Sequence, residues 1–361
     1  MPALTLADLR RYAVSRSLFS PTTLPGALRR LGFIQADPIR APARAQDLTL
    51  RHRVADYRAG DLERRYPRLQ VEEDFFVNYG FLTRDLHALM HPRQARHAWD
   101  SATKRRAAAL LEFIRERGEV HPREVDAYFA HGRVTNYWGG SSNATTHLLD
   151  GMHYRGMLRV VRRDSGVRVY AAREHTPHDA DPAAQLDALV DVIVGKYAPL
   201  PAASLSNLVV TRLPHGVPQW RADVKAALQR AKERLGRTQL DGTTWYWPDG
   251  ERPASTRHAV SDEVRLLAPF DPIVWDRRRF ELMWNWAYRF EAYTPAPKRK
   301  LGYYALPLLW RDEVVGWGNL AVSDGQLVPA FGYVAGAPPA GRAFRRALND
   351  ELDRMRLFLG V

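Results

Sequence analysis

Apolar residues fall into two rhythms along the chain, and turn residues mark where one gives way to the other. Leu6, Leu9 and Ala13 recur at helical spacing behind Thr5, whose hydroxyl suits an N-cap, and Ser20-Pro21 ends the run. Residues 24–31 make a second short helix closed by Gly32. Phe33-Ile34-Gln35-Ala36-Asp37-Pro38 then reads as extended, because a proline biases the residue before it away from the helical region. Residues 44–53 and 58–65 read as short helices, and 71–81 as strand-like.

Between about 104 and 173 the pattern is more regular. Ala107, Leu110, Leu111 and Ile114 predict an amphipathic helix ending at Gly118; residues 121–129 predict a second, with Pro122 in its first turn. A Gly-rich connection (Trp138-Gly139-Gly140) leads to a third helix over 143–154. Two alternating strands, 158–163 and 167–172, flank Asp164-Ser165-Gly166. Helix, helix, helix, hairpin is the order of a winged helix. Its third helix offers Asn143, Thr145, Thr146, His147 and His153, and its hairpin Arg159, Arg162, Arg163 and Arg168: short polar side chains suited to base edges and arginines suited to phosphates. A packing unit used for protein contacts has the same element order. The order recurs: an apolar stripe from Leu186 to Tyr197, a break at Pro199–Pro201, helical patterns over 203–210 and 224–235, and strands around Asp241-Gly242. After about Ser261 the chain turns to strands (264–275, 303–310, 313–321, 326–334) and closes on a helix over 341–359, with Phe344, Leu348, Leu352, Met355 and Leu359 on one face. The expected fold class is α+β: segments 1–100, 101–180 and 181–258 as winged-helix units and 259–361 as a β-rich domain.

Composition sharpens this. Lys+Arg outnumber Asp+Glu by 53 to 40, a formal charge of +13, which favours a polyanionic partner and nucleic acid first. The 361-residue chain has no cysteine, which excludes disulfides, thiolate metal sites and a cysteine nucleophile. No signal-peptide pattern opens it, and apolar runs such as 189–194 fall far short of the roughly 18 residues that span a bilayer. A cytoplasmic, nucleoid-associated protein is expected, with no membrane partner. A monomer is expected too, since no dimerisation heptad is visible.

Motifs for phosphate cradles, dinucleotide folds and serine elbows are absent from the sequence. His87 and His91 have zinc-ligand spacing but no evident third ligand, so no metal is expected. Gln35 and Asp37, two apart on an extended segment, would put an amide and a carboxylate on one side of it. Pro295-Ala296-Pro297-Lys298-Arg299-Lys300 is a rigid basic connector suited to a phosphate backbone or to solvent.

The stretch Leu31-Gly32-Phe33-Ile34-Gln35-Ala36-Asp37-Pro38-Ile39, with Ala43-Arg44-Ala45-Gln46-Asp47-Leu48 and Arg53-Val54, resembles the bacterial AlkZ/YcaQ family of winged-helix DNA glycosylases. So do Pro269-Phe270-Asp271-Pro272-Ile273-Val274-Trp275-Asp276, Tyr293-Thr294-Pro295-Ala296-Pro297-Lys298-Arg299 and Gly302-Tyr303-Tyr304-Ala305-Leu306-Pro307. The resemblance implies tandem winged helices and a β-rich C-terminal region forming a concave, DNA-clasping scaffold. It implies excision of N7-alkylated purines or unhooking of interstrand crosslinks in double-stranded, damaged DNA, without a cofactor. The family's Gln-Φ-Asp motif falls on Gln35, Ala36 and Asp37, making Gln35 and Asp37 the expected catalytic pair. Where relatives carry a histidine this chain reads Val77-Asn78-Tyr79-Gly80, and the histidine after the family's Ala-Arg-Ala element is Gln46. Arg40, Arg44, Arg53, Asn78, Tyr79, Asn143, Thr146, Arg162, Arg163, Lys298 and Arg299 are the expected DNA contacts. The competing expectation is a non-catalytic winged-helix DNA-binding protein.

Overall fold

A computed structural model of the protein describes residues 4–129, 132–135, 141–174 and 181–361. Helices and antiparallel strands mix throughout, an α+β fold. By compactness the chain forms two units: Met1–Leu62 with Val190–Leu208 and Leu228–Val361, and Glu63–Leu189 with Val209–Ala227.

In the first unit, helix α1 (Leu6–Ser17) begins as predicted. Thr5 Oγ1 accepts from the Asp8 N–H, and the Asp8 carboxylate accepts from the Thr5 N–H, a reciprocal capping box. Helix α2 (Leu24–Leu31) ends at Gly32, whose φ of +66° favours glycine and where a Cβ would meet Val192 at 2.9 Å. Strand β1 (Phe33–Gln35) follows directly, and helix α3 (Ala45–Leu50) is shorter than the 44–53 pattern. Strands Val264–Leu266, Leu306–Trp310, Glu313–Ser323 and Gln326–Tyr333 pair in chain order as one antiparallel sheet. Helix Arg342–Leu359 packs beside the first of these strands and buries Phe344, Leu352 and Met355.

The expected strand over 264–275 stops at Leu266. Pro269 and Pro272 have no N–H for a ladder, and Asp271 folds the chain into a turn, its Oδ1 accepting from Ile273 N at 3.0 Å. Helix Arg277–Trp284, capped by Asp276, went unread because Arg277-Arg278-Arg279 masks the apolar Phe280, Met283 and Trp284. The Asp271 turn is held from the end of α3. Arg53 is 0% exposed and donates to both Asp271 oxygens (2.8 and 3.0 Å), to the Thr49 and Ser17 carbonyls and to Ser17 Oγ.

In the second unit, residues 71–81 form not one strand but a hairpin, Val71–Phe75 and Tyr79–Thr83, because Phe76 N donates to Asn78 O across a tight turn. Helices Ser101–Arg117, Pro122–Phe129 and Ala144–Tyr154 and the hairpin Leu158–Asp164/Val167–Ala172 follow in the order read from sequence, with a further short strand, Glu119–Val120, after the first helix. Positive φ at Ser165 and Gly166 makes the hairpin turn. Residues 136–140 of the Gly-rich connection lie outside the described residues. The same order returns along the chain as Pro182–Tyr197, Leu200–Pro201, Ala202–Ser206, Val224–Arg234 and the hairpin Gly236–Leu240/Thr243–Trp247. In both occurrences the short strand after the first helix pairs with the second strand of the hairpin.

Removing one partner of a buried ion pair leaves an uncompensated charge in the core. Asp271→Ala is therefore expected to lower unfolding stability by about 3–5 kcal/mol in urea titration, and Arg53→Met with Asp271→Leu to recover much of the loss.

Candidate active site

Gln35 ends β1, and its Oε1 accepts from Trp275 Nε1 at 2.6 Å. The indole N–H can only donate, so it fixes which end of the amide faces Trp275 and leaves the Gln35 NH2 as the group available to donate elsewhere. Trp275 is braced by Tyr197, ring centroids 5.2 Å apart. At the other end of β1, the buried Lys196 donates to the Phe33 carbonyl. Burial first, then the nearby Arg53, pushes its ammonium down to about 7, while Asp271 partly offsets them.

The strand stops at Gln35, so strand alternation does not place Asp37. Gln46 does: its Oε1, from inside α3, accepts from the Asp37 backbone N–H at 3.2 Å. The Asp37 side chain is 8% exposed, and its Oδ1 accepts from Ile39 N at 2.9 Å. Burial raises the carboxyl above the usual range, and the Ile39 N–H opposes that only in part. Oδ2 has no hydrogen bond among the described residues. Nearby, the buried Tyr304 hydroxyl also has no hydrogen-bond partner. Burial pushes that phenol up, and the charge of Asp37 pushes it further. The site thus holds an acceptor and a donor that lack partners among the described residues, together with one fixed amide.

The other expected contact residues are in very different settings. Arg40 is exposed, Arg44 half-buried at the start of α3, Lys298 exposed, and Arg299 bonded to the Thr294 carbonyl at 2.8 Å. These four share the first unit with Gln35 and Asp37. Arg53 departs from the expectation: fully buried, with its guanidinium bonded inside the core, it presents nothing to DNA. In the second unit Thr146 and His147 are exposed on their helix, whereas Thr145 and His153 lie in the core and His153 meets the Glu73 carbonyl. The Asn143 backbone belongs to a strand, and its side chain lies outside the described residues.

Much of the hairpin's positive charge is neutralised locally. Arg163 bonds the buried Glu73 twice (2.8 and 2.5 Å), Tyr79 donates to the same carboxylate at 2.8 Å, and Arg168 lies over the Tyr79 ring. Arg159 and Arg173 pair with buried Glu72. Burial pushes the Glu73 carboxyl up, but Arg163 and Arg168 outweigh it and hold it below its ordinary value. Arg162 pairs outward with Glu119 and Asp164. Asn78 turns its side chain to the Tyr79 N–H. These acidic partners were missed because Glu72, Glu73 and Asp74 sit consecutively in a strand, where only burial distinguishes them from a solvated run.

Asp74 is also the third group absent from the sequence reading of His87 and His91. Both Nε2 atoms approach its Oδ2 (3.1 and 2.8 Å), and the imidazoles stack 4.0 Å apart. Arg93, buried, bonds Asp74 Oδ1 at 2.8 Å. Burial keeps both histidines below their ordinary value. Hydrogen bonds from both imidazoles and from Arg93 to the Asp74 carboxylate account for the geometry of the cluster.

Residues 28–358 match the family of AlkZ-like DNA glycosylases, and the protein belongs to that family. Its fold is similar to that of the DNA glycosylase AlkZ of Streptomyces sahachiroi, with a TM-score of 0.65 over 100% of this chain and 98% of that one. At 15% identity the likeness is one of fold. Among the described residues, no helix is long and apolar enough to cross a membrane.

Gln46→Ala removes the acceptor that seats the Asp37 backbone while leaving both candidate side chains intact. If Asp37 is the working carboxylate, this variant should release base more slowly by about one to two orders of magnitude with little change in DNA affinity, measured in single turnover. An unchanged rate would show that the Asp37 backbone is held without Gln46.

Proposed function

We propose that the protein is a monofunctional DNA glycosylase that excises N7-alkylated purines from double-stranded DNA, unhooks interstrand crosslinks made through the same nitrogen, or does both. The observation that carries this reading is the setting of Asp37: a desolvated carboxylate seated by Gln46 and Ile39, one oxygen uncommitted, beside the oriented Gln35 amide and the unpartnered Tyr304 hydroxyl. Alkylation at N7 makes the purine cationic, so the glycosidic electrons leave with the base and neutralise it. The sugar is left oxocarbenium-like. Asp37 stabilises that charge and accepts a proton from the water that attacks C1′, giving free base and an abasic site. Gln35 holds the water or the sugar oxygen. The reaction requires no metal and no diffusible cofactor.

In this reading the two helix–helix–helix–hairpin stretches are winged helices. Thr146, Arg162, Asn143 and Arg163 belong to the first of them, with Asn78 and Tyr79 standing where relatives have a histidine. Arg40, Arg44, Lys298 and Arg299 meet phosphates. The protein acts as a monomer on the nucleoid.

The test compares wild type with Asp37→Asn on duplexes carrying 7-methylguanine or a nitrogen-mustard crosslink. Wild type should leave alkali-labile abasic sites, and the variant should be slower by about 10²–10⁴-fold. If both proteins bind duplex and neither releases base, the chain is a non-catalytic DNA-binding relative.

Two further outcomes follow from the raised Asp37 carboxyl. Activity needs the ionised form, so base release should fall with pH through an apparent pKa above the ordinary aspartate value of about 3.9. The fold also holds this proton more tightly than the unfolded chain does, so ionisation removes stability as pH rises through the folded pKa. Asparagine carries no such charge and can still accept from Ile39, so Asp37→Asn should melt no lower than wild type at neutral pH.

A further inference from the structure

The segment from Glu291 to Tyr303 has features that base release does not require. Tyr293 is 80% exposed, the most exposed large hydrophobic among the described residues, and its nearest aromatic neighbour is Phe290, edge-on at 6.0 Å. An aromatic ring left in water on a loose loop would be unremarkable, but this loop is pinned. The buried Glu291 carboxylate accepts from the N–H groups of Lys300, Leu301 and Gly302, Thr294 N donates to Glu291 O, and Asn319 donates to the Leu301 carbonyl. Gly302 sits at φ +118°, where a Cβ would collide with the Asn319 side chain. Pro295 and Pro297 stiffen what lies between, and Lys298, Arg299 and Lys300 follow in succession. The ring is linked to the candidate site through Phe290, whose ring lies 6.0 Å from that of Tyr293 and 5.3 Å from that of Tyr304.

We propose that Tyr293 is a stacking wedge that enters duplex DNA in the place of the nucleobase drawn to Asp37, with Lys298 and Lys300 on the flanking phosphates. This rests on the base-release reading for what Asp37 receives. A base leaving the stack opens a gap bounded by two π faces. A rigidly presented aromatic ring fills such a gap whatever the neighbouring sequence, and cations on either side anchor the strand. A fixed loop loses little freedom on insertion, which explains why so exposed a ring is so firmly mounted.

The experiment measures equilibrium binding of the full chain to a duplex with a single tetrahydrofuran abasic analogue and to the same duplex intact. Wild type should prefer the gapped duplex. Tyr293→Ala should lose about 10- to 100-fold on the gapped duplex and little on the intact one, while Tyr293→Phe, which keeps the ring, should bind like wild type. Lys298→Ala with Lys300→Ala should weaken both duplexes equally and reduce the salt dependence. The inference is overturned if wild type shows no preference, if Tyr293→Ala keeps it, or if Tyr293→Phe loses as much as alanine. If wild type releases no base from 7-methylguanine duplexes but its gap preference still depends on the ring, the glycosylase reading fails and the wedge stands.

Discussion

Arg53 and Asp271 meet in the core with neither side chain exposed, joined by two hydrogen bonds across 218 residues of chain. A buried pair of this kind contributes less to stability than to geometry: its bidentate fork tolerates one arrangement of the segments that carry it. Here those segments are the ones that build the candidate site. Arg53 lies just beyond α3, which supplies Gln46 to the Asp37 backbone; Asp271 shapes the turn that presents Trp275 to Gln35. Gln35 and Asp37 are therefore positioned by residues on either side of one ion pair, and Lys196, with its depressed ammonium, sits in the same field.

The excess of positive charge is less available than its total suggests. In the second unit Glu72, Glu73 and Asp74 draw in Arg159, Arg163, Arg173 and Arg93. Arginines of the hairpin read as phosphate ligands thus act first as internal cross-links that fix its register against the neighbouring strands. The cations with fewer internal partners, Arg40 and Lys298, belong to the first unit, the one that holds Asp37. Long-range attraction for DNA follows the net charge, but local engagement follows which cations remain uncommitted.

Local signals were legible, and cooperative ones were not. The capping Thr5, the helix stop at Gly32 and the turn glycine Gly166 act within a few residues, and the elements they bound fall where the pattern puts them. Asp37 was found by motif, but the reason it is seated there was not: Gln46 looked like a lost histidine, and its bond to the Asp37 backbone depends on how α3 packs against β1. Arg53 read as a surface cation because its partner is distant in sequence. The strand assigned to 264–275 failed at Pro269 and Pro272, and the helix beginning at Arg277 was hidden by its own charges. For Asp37 and Arg53 the missing information was a contact rather than a propensity.

The donor to Gln35 lies 240 residues downstream of it. At a synthesis rate of about 5–20 residues per second, roughly 12 to 48 seconds separate the appearance of Gln35 from that of Trp275 at the ribosome. From about residue 172 onward the chain includes the first helix–helix–helix–hairpin stretch, while the Gln35 amide still has no fixed orientation and Arg53 no counter-ion. The distance written into the fold therefore leaves the candidate site unassembled until translation has passed Trp275.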